Sequence, residues 1–216
     1  MAEAADLPHV APDALAAMLP AETTALVVVD IQKDFAAPDG LVGGFGQDMT
    51  TVEAAIDRIE ELIAAARKAG VTLAFMRVVT HPDTDPAVLK TLMVRRGQEG
   101  GEAICRTDNG GADYYRVKPE PGDIEIDKLM FDSFHGTDFD EQLKWRGIET
   151  LVMTGITTDC CVDSTARTGF HNGYNIFLVS DACAAYEPDL HTGTLNVLEK
   201  NLALLTSTDA VLKAWG

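Results

Sequence analysis

What the chain lacks narrows its function before any motif is read. It has no run of about 18 apolar residues, the length that a membrane-spanning helix requires. Basic residues are scarce: 17 Lys and Arg stand against 34 Asp and Glu, a net charge of −17. No Lys/Arg cluster offers a track for phosphates, and so negative a surface repels nucleic acid and anionic membranes. The first twenty residues include Glu3, Asp6 and Asp13 and lack the basic start and apolar stretch of a signal peptide. These absences predict a cytoplasmic protein with neither nucleic-acid nor membrane partners. There are only four cysteines, and Cys160 and Cys161 are adjacent, which suits a disulfide framework poorly. All four are expected to be reduced. Finally, no glycine-rich turn follows the first predicted strand, which ends Asp30-Ile31-Gln32-Lys33-Asp34-Phe35. That excludes a Rossmann-type nucleotide site.

What is present is an alternation of strands and helices. The run from Ala25 to Val29 is continuously apolar, as in a strand buried on both faces of a parallel sheet. Val52 to Lys68 has apolar positions at helical spacing, closed by Gly70. Further strands are predicted at 71–76, 124–126, 150–154, 175–180 and 203–205, with helices at 138–146, 159–171, 189–201 and from 208 onward. Between 81 and 122 lies a long connection rich in Pro and Gly with one short helix near 87–94, a length that usually signals function. This order predicts an α/β fold of three layers, αβα, with a six-stranded parallel sheet. At 216 residues the chain suits one domain, expected over 21–216 and preceded by an N-terminal arm over 1–20.

In an open α/β sheet the ligand lies beyond the carboxyl ends of the strands. Asp30 closes the first strand, Lys128 follows the strand at 124–126, and Cys160 and Cys161 follow the strand at 150–154. A carboxylate, an amine and a thiol therefore converge on one edge. Taken singly, Asp30 reads as a turn residue, Lys128 as a solvated lysine and Cys161 as a small buried hydrophobe. Their shared placement requires three separate coincidences under that reading. Together they suit covalent catalysis. The thiolate is the nucleophile, a helix N-terminus and an ammonium favour it, and a carboxylate can accept its proton and return it to a leaving nitrogen. Cys160 points about 100° away around the helix and reads as packing.

The segment Val29-Asp30-Ile31-Gln32, with Phe35, resembles the opening motif of the isochorismatase-like cysteine hydrolases. The run from Lys128 through Ser133 and Phe134 to Thr137 is similar to their lysine segment. The run from Gly155 through Thr158, Cys161 and Val162 to Arg167 is similar to their nucleophile segment. The resemblance spans about residues 24–205. It implies Asp30, Lys128 and Cys161 as a triad, with Cys161 rather than Cys160 as the nucleophile. It also implies a cis peptide between Ile156 and Thr157, an oxyanion hole made of the Thr157 and Cys161 N–H groups, and a homodimer or homotetramer. Nicotinamidases of this family bind a metal through Asp-x-His and a further His. Here the corresponding segment, from Thr80 to Asp85, holds His81 alone. No metal and no cofactor are therefore expected.

The expected function is cysteine-dependent cleavage of a C–N bond in a small amide, ureide or N-carbamoyl compound, through a thioester. Its alternatives are a metal-free, nicotinamidase-like deamidase and a catalytically silent interaction subunit. Phe35, Phe134 and His81 are the candidate substrate-binding residues. Arg77 and Arg116 either anchor a substrate carboxylate or form structural ion pairs.

Overall fold

A computed structural model describes residues 10–216. Of the N-terminal arm expected over 1–20, residues 1–9 lie outside the described residues. Six strands run β1 (Thr24–Val29), β2 (Thr72–Val78), β3 (Ile124–Lys128), β4 (Thr150–Ile156), β5 (Asn175–Ala184) and β6 (Ala203–Thr206). They form one sheet in the order β3-β2-β1-β4-β5-β6, and every pairing is parallel. The chain turns from one direction of winding to the other between β1 and β4, which is where such sheets place their ligands.

All six residues of β1 are buried, because both of its faces are covered. Leu26 and Val28 face one helical layer: α1 (Pro12–Met18), α4 (Thr50–Ala69) and α9 (Thr208–Trp215). Ala25, Val27 and Val29 face the other: α6 (Phe139–Trp145), α7 (Asp163–His171) and α8 (Pro188–Asn201). The short helices α2 (Lys33–Ala36), α3 (Leu41–Gly44) and α5 (Ala87–Arg95) lie in the connections around the carboxyl ends of the strands. Among the described residues no helix is long and apolar enough to cross a membrane.

β4 approaches β1 closely at Gly155, whose register partner is Val29. Gly155 has φ +114°, and a Cβ there would collide with the backbone of Val29. Only glycine suits that position, and the close approach sets the turn after β4 against Asp30.

The described part of the expected arm is built into the domain. The Val10 N–H donates to the Leu205 carbonyl at 2.8 Å. Leu15 and Leu19, both fully buried, pack in the same core as Val211 and Trp215 of α9. Leu15→Ala is therefore expected to lower the free energy of unfolding by about 2–5 kcal/mol, as for other buried leucines. Urea denaturation measures it, and a loss below about 0.5 kcal/mol would mark these residues as a surface appendage.

Candidate active site

Asp30 directly follows β1 and takes the left-handed conformation, φ +55°, which aspartate tolerates better than branched residues do. Its N–H donates to the Met76 carbonyl at 3.0 Å, and its own carbonyl accepts from the Gln32 N–H at 2.9 Å. The chain therefore bends sharply and delivers the carboxyl group inward, where the side chain is 1% exposed.

Lys128 arrives from two strands away. β3 alternates buried and exposed positions, so Ile124, Ile126 and Lys128 share the inner face. The lysine reaches past the end of β2 to place Nζ 2.8 Å from Asp30 Oδ2. Its remaining donors go to the carbonyls of Met130 (3.2 Å) and Phe131 (3.0 Å). An ammonium has three N–H bonds, so all three are committed. Asp30 Oδ1, in contrast, is buried without a close hydrogen-bond partner among the described residues.

Cys161 comes from the turn after β4. The Ile156–Thr157 peptide bond is cis. The Thr157 carbonyl then accepts from the Cys160 N–H at 3.1 Å and from the Val162 N–H at 3.2 Å. The second bond spans five residues, so Thr158–Val162 form one π-helical turn ahead of α7. Sequence periodicity predicts a regular helix from 159. The wider turn instead holds Cys161 back against the Asp30–Lys128 pair, whose protonation its thiol affects on both members. From α8, His191 Nδ1 fastens this turn at 2.8 Å from Thr158 Oγ1. Burial pushes the His191 imidazole down, so the ring is neutral at pH 7.

The charges are set by this burial. Removal from water pushes the Asp30 carboxyl up, and Lys128 offsets only part of that. Burial alone would lower Lys128, but Asp30 and Cys161 together outweigh it and raise the ammonium. The hydrogen bond with Cys160, then burial and the Asp30 charge, push the Cys161 thiol well up. A thiolate favoured by a helix N-terminus and an ammonium is the sequence expectation. The structure places the sulfur in a buried turn where the Asp30 charge raises the thiol and the Lys128 ammonium lowers it.

Above these groups lies a cavity of about 240 Å³, lined by Asp30, Cys160, Cys161, Thr157 and Ile156 and by Phe35, Val78, Gly101, Ile104, Leu129, Met130, Phe131 and Tyr186. It thus brings together Asp30, Cys161, Thr157 and Phe35 of the residues expected at the site, with Lys128 sealed behind Asp30. Two expected substrate residues stand elsewhere. Phe134 packs in the core, its ring 4.7 Å from Phe139 and 6.0 Å from Tyr174, because three aromatics fill the space between α6 and the sheet. His81 is exposed and pairs with Asp83 at 3.4 Å. Cys160, expected to pack away from the chemistry, faces the cavity because a π turn rotates successive side chains less than an α turn does. Arg77 and Arg116 both serve ion pairs, with Asp127 in one case and with Glu53, Asp57 and Glu60 in the other.

Tyr186 and Phe131 are among the pocket residues that the sequence reading missed. Tyr186 lies just past the carboxyl end of β5, and its hydroxyl donates to the Phe35 carbonyl at 2.8 Å. The strand-end rule applied to β5 would have found it. Phe131 closely follows Lys128. Ile104 had no signal, since it lies within the irregular connection. Among the described residues no group of three His, Cys, Asp or Glu side chains is placed to hold a metal ion.

Residues 24–210 match the family model described as the isochorismatase domain. Curated relatives include the ureidoacrylate amidohydrolase RutB of Methylorubrum extorquens, 36% identical over 83% of this chain and 77% of that protein. Another is the RutB of Pseudomonas savastanoi pv. phaseolicola, 37% identical over 84% and 78%. Among solved structures, a cysteine hydrolase from Pseudomonas syringae pv. phaseolicola superposes with a TM-score of 0.76 at 24% identity, covering 97% of this chain and 98% of that one, a likeness of fold. N-carbamoylsarcosine amidase from Thermoplasma acidophilum gives 0.68 at 26% identity over 87% and 97%.

The buried pair makes a prediction of its own. Lys128→Met or Asp30→Asn each leaves one group without its partner and is expected to cost about 3–5 kcal/mol of stability. The double variant is expected to lose less than the sum of the two, a non-additivity that chemical denaturation of all four forms would reveal. Strict additivity would mean that the two groups are not coupled.

Proposed function

The chain belongs to the isochorismatase family and hydrolyses amide-type C–N bonds, and on that premise we propose that Cys161 cleaves a small amide, ureide or N-carbamoyl compound through a thioester. The observation that carries this reading is Asp30 Oδ1, a buried and unpartnered carboxylate oxygen beside a buried thiol, with Lys128 fixed on the other oxygen. Asp30 takes the thiol proton onto Oδ1, and the thiolate attacks the carbonyl carbon. The N–H groups of Thr157 and Cys161 hold the resulting oxyanion. The tetrahedral species collapses as Asp30 returns the proton to the departing nitrogen, leaving an acyl or carbamoyl thioester. Water, deprotonated by the same carboxylate, attacks the thioester, and Cys161 leaves and recovers its proton. Lys128 keeps Asp30 ionised in a setting that would otherwise protonate it.

The relatives' names put a ureide among the substrates of this branch. Phe35 belongs to this proposal as a wall of the substrate cavity, as do a homodimer or homotetramer and a cytoplasmic location. A nicotinamidase-like deamidase would use the same three residues on a different amide.

Cys161→Ala is expected to lower kcat/KM by at least about 10⁴-fold with the melting temperature unchanged, while Cys160→Ala keeps most of the activity. The opposite pattern would make Cys160 the nucleophile. Activity retained in both variants would remove cysteine from the mechanism. A silent interaction subunit would turn over no amide or ureide at all. The pH profile provides a further check. Asp30 must be ionised to accept the thiol proton, and burial raises its pKa. Activity is therefore lost as pH falls through that raised value, and the acid limb of kcat/KM lies above the ordinary carboxylate range. A limb at the usual carboxylate position would show that Asp30 does not titrate as the base.

A further inference from the structure

We infer that His191 is a positioning residue for the nucleophile: through the Thr158 hydroxyl it holds the π-helical turn in the form that sets Cys161 against Asp30. The inference rests on the amidohydrolase reading and adds to it a residue that stands behind the reacting groups. Ile156, Thr157, Cys160 and Cys161 of this segment line the cavity, whereas Thr158 and His191 are not among its walls. The Thr158 side chain is fully buried and turns to α8, where its Oγ1 lies 2.8 Å from His191 Nδ1. A buried hydroxyl is costly to leave unpaired, so the contact resists opening.

α8 delivers the ring to this place. His191, Leu195 and Leu198 recur at helical spacing and share one face. Leu195 and Leu198 are fully buried in the same core as Val162, which ends the π turn, and Ala166 of α7. That packed face fixes the helix, and His191 stands at its first turn. The ring also has a hydrogen bond with the backbone of Ser180 in β5. A neutral imidazole carries one donor and one acceptor nitrogen, so it serves a hydroxyl and a backbone group at once. His191 thereby ties α8, β5 and the turn after β4 together.

The hydrogen bonds of the turn show what is at stake. The Thr157 carbonyl accepts from the Cys160 and Val162 N–H groups. In an α turn the same carbonyl would accept from the residue four positions on, Cys161. Relaxation of the π turn to the α form would therefore consume the N–H that the proposed mechanism gives to the oxyanion. It would also rotate the sulfur relative to Asp30. The π pattern passes over Cys161 to Val162 and leaves that N–H to the substrate. Anchoring Thr158, the first residue of the turn, to a packed helix keeps the wider form in place.

Two substitutions break the contact from either side. Thr158→Val removes the hydroxyl and keeps the shape of the side chain, and His191→Leu removes the ring nitrogens. On a ureide that the wild type turns over, each is expected to lower kcat at least about tenfold with KM within about threefold, the mark of an interaction lost in the transition state. The double variant is expected to fall no further than the weaker single, because both break one contact. Thr158→Ser and His191→Asn keep a polar partner on each side and are expected to retain at least about a third of kcat. Wild-type kcat in Thr158→Val overturns the inference, even with a lowered melting temperature, since the contact would then be structural only. Additive losses in the double variant overturn it too. Should His191→Leu fail to fold, Thr158→Val and Thr158→Ser carry the test alone. Alkylation of Cys161 by iodoacetamide, located by peptide fragmentation, gives a readout free of turnover. Its rate is expected to change at least about threefold in Thr158→Val, because thiol reactivity follows the surroundings of the sulfur. Absence of turnover on every amide and ureide by the wild type overturns the amidohydrolase reading. The alkylation rate then decides the inference by itself, and an unchanged rate in Thr158→Val overturns it.

Discussion

A lysine and an aspartate stripped of water exist as ions only if each supplies the other's counter-charge. Asp30 and Lys128 meet that condition at 2.8 Å, and much of the site follows from it. Replacing such a pair with apolar groups is often neutral or stabilising, so its presence is weak support for a role in stability. Its value is electrostatic. Burial raises the Asp30 carboxyl and Lys128 opposes that rise, so the lysine favours the ionised form. The pair also divides the labour between the two carboxylate oxygens. Oδ2 is anchored by the ammonium, and Oδ1 is left bare on the side of the thiol.

The pair can be dry only because the long connection after β2 is held down over it. Gln32 does much of this. Its side chain is fully buried, donates to the carbonyls of Val78 (2.7 Å) and Ala112 (3.0 Å), and accepts from the Val78 N–H (2.7 Å). One residue thus joins the turn after β1, the end of β2 and the far end of the connection. Asp34 accepts from the Cys105 N–H at 2.7 Å and leaves no room for a side chain at Gly111. Arg106 and Asp85 brace the same segment from within. A stretch with little regular structure becomes the cavity's roof because its backbone groups find fixed side-chain partners.

The division between what was legible in the sequence and what was not follows the same physics. Strands buried on both faces announce themselves by continuous apolar runs, so Ala25–Val29 and its counterparts were readable, and with them the parallel sheet and its carboxyl edge. That edge is a property of topology, and for this reason Asp30, Lys128 and Cys161 could be placed beside one another without any contact being known. Phe134 was misplaced because an aromatic beside a motif can face the core or the ligand, and sequence spacing does not encode which. Cys160 packs against the core as expected but also lines the cavity, since its direction depends on whether the turn is α or π. Ile104 and the grip of Gln32 and Asp34 on the connection were invisible because contacts across 71–80 positions have no local pattern.

The raised thiol and the apolar cavity belong to one arrangement. Here the hydrogen bond with Cys160, then burial and the Asp30 charge, hold the Cys161 thiol up, and Lys128 commits donors to Asp30, Met130 and Phe131. Burying Lys128 behind Asp30 gives the carboxylate its counter-charge, and the same burial leaves the lysine side chain with no exposed surface. An exposed lysine would keep its own water and give a buried carboxylate a weaker counter-charge.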